Sequence, residues 1–152
     1  MLDEKSVKIL NEIQRDSKQT VTKIARKLDM RPSTIYDRIK MLEEDRVIEQ
    51  YVAVLNDEKL GIEIVGFILI KGRTTRYLDK MPTLNTDSHV AEIRGVTGDY
   101  DMLIKTRFRS MREFSKFLIN LREQLGEDIL ETKTLISTIK LKETTERPIE
   151  KT

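Results

Sequence analysis

Between Thr20 and Gln50 the sequence reads TVTKIARKLDMRPSTIYDRIKMLEEDRVIEQ, two short apolar helical patterns separated by a tight non-helical step. Val21, Ile24, Ala25 and Leu28 recur at helical spacing behind Thr20. Pro32 opens the second pattern, at a position whose N–H would find no intrahelical partner in any case. Ile35, Ile39 and Leu42 follow at i, i+4 and i+7 and face a core. That leaves Ser33, Thr34, Tyr36, Arg38 and Lys40 on faces the apolar residues do not need. A further helix is predicted after Asp3, a good N-cap, with Val7, Leu10 and Ile13 inward. This is the layout of a helix-turn-helix, which places its second helix in the DNA major groove.

Overall charge does not by itself support a polyanionic partner, since the 152 residues carry a formal net charge of only +2. Local charge does. Lys23, Arg26 and Lys27 precede Arg31, Arg38 and Lys40, and Glu43, Glu44 and Asp45 follow at once, so the patch has a direction. Cysteine is absent, which excludes disulfides and thiolate metal sites. No apolar run is long enough to span a membrane, and MLDEKSVKIL has no apolar signal core. A cytoplasmic protein with no membrane partner, no metal and no cofactor is expected.

The second half has a different rhythm. Val47 to Leu55 (VIEQYVAVL) is β-branched and is predicted to be a linking strand, with the domain boundary between Asn56 and Gly61. The expected domains are therefore residues 1–56 and 57–152. Ile62 to Ile70 is a nearly continuous apolar run, predicted as a strand buried on both faces. Thr74 to Leu84 is a weak helical segment broken by Pro82, and His89 to Arg94 alternates. Tyr100 to Phe108 places Met102, Ile104 and Phe108 on one side. Ser110-Met111-Arg112-Glu113 is a capping box. The apolar stripe behind it, Phe114, Phe117, Leu118, Leu121 and Leu125, ends at Gly126, and Ile129 to Leu141 closes as a long strand. The order β-α-β-β-α-β is the split-βαβ, ferredoxin-like motif, so the fold class is α+β. Its core is expected from Phe67, Leu69, Phe114, Phe117, Leu121 and Ile139, and the polar tail after Lys142 is expected to fray.

Over nearly its whole length the chain resembles the Lrp/AsnC (feast/famine) transcriptional regulators. The resemblance rests on TKIARKLDM and STIYDRIKMLEEDRVIEQYVAVL in the first half, and on RGVTGDYDMLIKTRF, MREFSKFL and ETKTLISTI in the second. It implies a winged helix-turn-helix joined by a strand to an effector-binding RAM domain. It also implies a homodimer, with assembly to tetramers or octamers open. Two positions depart from the family pattern. Arg31 stands where a Ser commonly caps the third helix, so Ser33 or water must serve, or the cap is weaker. Arg46 replaces the usual Gly after that helix, so Asp45 must adopt a positive φ or the turn differs.

For double-stranded DNA, the N-terminal residues Arg31, Ser33, Thr34 and Tyr36 are the candidates for base edges. Arg31 suits a guanine and Thr34 a thymine methyl, while Arg38 and Lys40 suit phosphate. The bland alternative is a solvated polar face, and packing of Tyr36 on its own domain. Gly95 to Asp101 joins two strands and works as a hairpin turn whatever else it does. In proteins the chain resembles, this loop lies at a dimer interface and helps hold a small effector, often an amino acid. Gly98, Asp99, Tyr100 and Asp101 are the carried-over candidates, since backbone N–H groups suit a carboxylate and the Asp side chains an ammonium. Thr134 is a candidate second wall, because Thr132, Thr134 and Thr138 share one face of the last strand. The sheet face the helices do not cover calls for a partner sheet. Enzyme signatures are lacking: there is one His, His89, and no P-loop, GxGxxG or HExxH. An effector-independent DNA-organising protein shares every N-terminal feature, and an AsnC-like tetrapyrrole decarboxylase is the remote alternative.

Overall fold

A computed structural model describes residues 2–150. The chain divides into two compact units: one runs up to Val54 and takes in the chain from Lys142 onward, and the other is Leu55–Leu141.

In the first unit, α1 (Glu4–Arg15) starts where Asp3 accepts the Ser6 N–H at 2.9 Å. Its buried residues are Ser6, Ile9 and Leu10, with Val7 and Ile13 only half-buried. The inward stripe is thus rotated from the expected Val7, Leu10, Ile13, because Ser6 has hydrogen-bond partners that let a polar side chain go inside. Thr20 caps α2 (Val21–Leu28) by accepting the Lys23 N–H at 3.2 Å. Asp29 then turns left-handed, φ 51, and makes the tight step, a conformation Asp tolerates. The third helix, α3, is Pro32–Glu44. Ile9, Ile24, Ala25 and Ile35 form the core where the three helices meet, flanked by Ile13, Val21, Leu28, Met30 and Ile39.

The end of α3 differs from expectation. Asp45 stays right-handed at φ −75, and Arg46 itself takes φ +56. Its N–H returns to the Glu43 carbonyl at 3.0 Å and the Val47 N–H to Leu42 at 2.9 Å, a Schellman closure with Arg in the place Gly usually fills. Left-handed backbone costs an L-residue about 1–2 kcal/mol. Glycine would relieve that but lose roughly 0.4–1 kcal/mol through unfolded-state entropy. Arg46→Gly should therefore stabilise this unit by about 0.5–1 kcal/mol, read as a higher urea midpoint. An unchanged or lower midpoint would mean that the Arg46 side chain contributes packing worth more than the strain.

The linking strand expected at residues 47–55 does not form: Val47 and Ile48 bend back onto the Leu42 carbonyl, the segment is exposed apart from half-buried Ile48, and it pairs with no strand among the described residues. A strand needs a neighbour to accept its N–H groups, and none adjoins it here. The tail was expected to fray, yet Gln14 clasps it. The Gln14 amide donates to the Arg147 carbonyl at 3.1 Å and accepts the Arg147 N–H at 2.5 Å.

The second unit is a four-stranded antiparallel sheet in the order β2-β3-β1-β4, built from β1 (Ile64–Gly72), β2 (Val90–Gly95), β3 (Met102–Phe108) and β4 (Ile129–Ile136). Between β1 and β2 lie a 3-10 turn, Thr75–Lys80, and the short helix α4 (Met81–Asn85). Pro82 sits in the first turn of α4 and opens that helix where a break was expected. Helix α5 (Met111–Leu125) is capped at Ser110 as predicted, since Ser110 accepts the Glu113 N–H at 3.3 Å, while the Glu113 carboxylate accepts the Arg109 N–H at 3.1 Å, one residue before the cap.

Register decides which side chains are core. Ile68 stands opposite both Ile104 and Thr134, and Ile70 opposite Met102 and Thr132. Facing residues share a face. Gly66, Ile68 and Ile70 of β1 lie on the side covered by α4 and α5, with Met102, Ile104, Thr106 and Phe108 of β3. Phe67 and Leu69 point to the other side and are half-buried, so β1 is not buried on both faces. They are outside the core cluster, and Ile139, also expected there, lies beyond the strand end at 70% exposure. The actual core is Ile68, Ile70, Tyr77, Met81, Leu84, Met102, Ile104, Phe108, Phe114, Phe117, Leu121 and Leu125. Gly66 makes room for Phe114, whose ring would come within 2.7 Å of an added Cβ.

Candidate functional site

The exposed side of α3 carries Arg31, Ser33, Tyr36 and Lys40, with Thr34 half-buried. Tyr36 is 60% exposed, so it projects into solvent and is not packed on its own domain. No side chain caps α3: Arg31 is the N-cap residue and makes no capping bond. Lys40 is loosely paired with Glu44 at 3.7 Å, both well exposed.

Beside this helix runs a cleft of about 820 Å³ lined by Asp3, Glu4, Lys5, Lys8, Leu28, Asp29, Met30, Arg31, Thr34 and Arg38. It brings together Arg31, Thr34 and Arg38 from the predicted set. It also adds Lys5 and Lys8 of α1, which reasoning from α2 and α3 alone did not single out. Arg38 is engaged within the protein. Its Nη1 meets Asp3 Oδ1 at 2.6 Å and Ser6 Oγ at 3.0 Å. The Ser6 amide and hydroxyl, with the Arg38 guanidinium, hold the Asp3 carboxyl down at about 2. That folded value lies below the unfolded one, so these bonds favour the fold above about pH 4 and are lost as pH falls through about 2. A signal for this was present in the sequence: Ser6 lies at i with Ile9 and Leu10 at i+3 and i+4, on one helix face, and a buried hydroxyl needs a partner.

At one end of the sheet, the loop between β2 and β3 closes when the Val96 N–H donates to the Asp101 carbonyl at 2.9 Å. Gly98 takes φ +117, which only glycine adopts freely. Asp101 is tied to the end of β1: its N–H donates to Ile70 O at 2.9 Å, and its Oδ2 accepts the Gly72 N–H at 2.7 Å. Gly72 lies under the Tyr77 ring, closer than any Cβ would permit. Tyr100 donates its hydroxyl to Glu131 Oε1 at 2.7 Å, and that bond pushes its pKa up. Asp99 is exposed. The loop thus gathers Gly98, Asp99, Tyr100 and Asp101 beside Gly72 and Glu131. Thr134 lies elsewhere. Paired with Ile68, it is half-buried on the helix-covered face, two register positions inward, whereas Glu131 pairs with Lys71 on the other face. Among the described residues, no group of three or more His, Asp or Glu is placed to hold a metal ion, and no helix is long and apolar enough to cross a membrane.

Comparison with known proteins matches each half separately. Residues 2–49 fit the winged helix-turn-helix DNA-binding model, and residues 66–147 fit the Lrp/AsnC ligand binding domain. The HTH-type transcriptional regulator FL11 of Pyrococcus furiosus is 36% identical over 151 residues, covering 98% of this chain and 97% of FL11. The crystal structure of an AsnC family transcriptional regulator from Agrobacterium tumefaciens superimposes with a TM-score of 0.89 at 25% identity, over 97% of both chains. A Neisseria meningitidis transcriptional regulator solved as an L-Met complex has the same fold, with a TM-score of 0.89 at 23% identity over 97% of both chains. A helix-turn-helix with an exposed recognition helix, followed by a βαββαβ antiparallel sheet with its loop at one end, is thus matched in sequence and in fold from end to end: the chain belongs to the Lrp/AsnC family of transcriptional regulators, with a DNA-binding helix-turn-helix and a ligand-binding domain.

Proposed function

We propose that this chain regulates transcription from the cytoplasm as a homodimer, open to assembly into tetramers or octamers, and that a small effector such as an amino acid modulates it. The first unit reads duplex DNA, and the second binds effector and self-associates. The observation that carries this is the division of labour between an exposed recognition face on α3 and a separate sheet that its helices cover on one side only. Val65, Phe67, Leu69, Leu103 and Leu135 lie on the other side, an apolar strip suited to a second copy of the sheet. Arg31, Ser33, Thr34 and Tyr36 are assigned to base edges and Lys40 to phosphate. Effector binding is assigned to Gly98, Asp99, Tyr100 and Asp101, and not to Thr134, which pairs with Ile68 on the helix-covered face. Exposed amides at Gly98 suit a carboxylate, and Asp99 suits an ammonium. The L-Met complex of the Neisseria meningitidis relative supports an amino acid as the ligand class.

Two measurements test the reading. Footprinting should show two half-sites about 34–36 Å apart, or a multiple, since both recognition helices must meet one side of the duplex. Protection of a lone half-site by a monomer would remove the dimer. A thermal-shift screen of the common amino acids should find a stabilising ligand, worth roughly 2.7 kcal/mol at a hundredfold excess over Kd. That ligand should change DNA affinity about 5–150-fold. Asp99→Ala should weaken its binding, whereas Asp101→Ala should chiefly destabilise the loop, because it strips the Gly72 N–H of its acceptor. A ligand bound equally well by the native chain and by Asp99→Ala places the pocket elsewhere.

A further inference from the structure

Arg38 lies one turn beyond Thr34 on α3, so by sequence it belongs with the groups that meet DNA. Its surroundings argue otherwise. The side chain is only 24% exposed, and the guanidinium nitrogen nearest α1 is shared between Asp3 Oδ1 and Ser6 Oγ. Ser6 is buried, and its own N–H donates to the same Asp3 oxygen, which closes a three-residue node. Drawing Arg38 out to a phosphate would leave the buried Ser6 hydroxyl without its donor and a carboxylate unpaired beside the approaching anion. Lys5 and Lys8 on the same cleft, and Lys40 on α3, are more exposed cations.

We propose that Asp3 and Ser6 are positioning residues for DNA recognition, acting through Arg38 as a strut that fixes the recognition helix against the N-terminus of α1. The strut neutralises Arg38, so it contributes geometry and not counter-charge. This rests on the assignment of α3 as the DNA-reading helix.

The two roles for Arg38 differ in the sign of one result. Asp3→Asn removes the charge and keeps a residue that caps a helix as well as Asp. If Arg38 is a strut, Asp3→Asn and Arg38→Met each weaken binding to a duplex selected by the native chain from a random pool. The loss expected is about fivefold or more, as for a misplaced base contact. The slope of log affinity against log salt stays at its native value in both, and the double variant is no weaker than Arg38→Met alone. Arg38→Lys, which keeps the charge, also weakens binding, and it serves as the probe if circular dichroism shows the neutral variants melted. If Arg38 instead binds phosphate, Asp3→Asn tightens binding, and Arg38→Met flattens the slope by about 0.9. Either of those results overturns the proposal, as does native affinity in both single variants. A native chain that selects no duplex would instead sink the assignment of α3, a different failure from a native chain that binds DNA and ignores Asp3→Asn.

Discussion

Ile35→Ala is expected to abolish DNA binding while leaving residues 55–141 folded. Ile35 is fully buried beneath α3, against Ile9, Ile24 and Ala25 of the other two helices. Truncating such a side chain costs about 2–5 kcal/mol, because the cavity relaxes only in part. Few apolar groups hold this unit together, and at roughly 0.05–0.15 kcal/mol per residue a domain of its size has only about 3–10 kcal/mol in total. The loss therefore melts much of the population, and with it the fixed placement of Arg31, Ser33, Thr34 and Tyr36. The second unit has a core of its own, so its transition should stay in place. Differential scanning calorimetry should show the transition of the first unit shifted down and that of the second unmoved. Near-native DNA affinity in Ile35→Ala would mean that the recognition helix holds its place without this core.

The second large effect belongs to Phe108. Its ring stacks on His89 with centroids 4.5 Å apart and meets Phe114 at 5.3 Å and Phe117 at 5.2 Å. It is buried where β3 runs under α5. Phe108→Ala should cost about 3–5 kcal/mol, from lost transfer energy, the cavity and the ring contacts. Phe67→Ala makes the informative contrast. Phe67 is on the same sheet but on the face no helix covers, and it is only half-buried. Its loss should leave the folded unit nearly as stable and weaken self-association. Sedimentation and urea unfolding of the two variants should therefore separate, with Phe108→Ala unfolding early and Phe67→Ala dissociating early. Equal destabilisation of the monomer by both would mean that the open face is not the dimer face.

Much of this fold is legible in local signals. Asp3, Thr20 and Ser110 cap helices because each places an oxygen where the first-turn N–H groups point. The apolar periods of α2, α3 and α5, and the alternation of β3, follow from 3.6 and 2 residues per repeat, and the element order implied the ferredoxin-like unit. At the end of α3 the sequence leaves open whether Asp45 turns left-handed or the turn differs; Arg46 itself takes the positive φ, since the closure is set by which N–H reaches Glu43 and Leu42.

What sequence could not supply were facts about partners distant along the chain. Val47–Leu55 has strand composition and no strand, because pairing requires a neighbouring edge that composition does not provide. Phe67 and Leu69 read as core because an apolar run does not say which face the helices will cover; the register with β3 and β4 says it. Thr134 reads as a pocket wall because it shares a strand face with Thr132 and Thr138, but which face that is depends on the register, which turns it to the helix-covered side. Asp101 became a bridge to Gly72, 29 residues away, and Arg38 an ion pair with Asp3, 35 residues away. Sequence by itself determined the helices, their caps, the order of the elements and hence the family. Tertiary structure alone decided which polar groups are already paired, because a charge is spent on whichever opposite charge packing brings within about 3 Å, and no local pattern encodes that encounter.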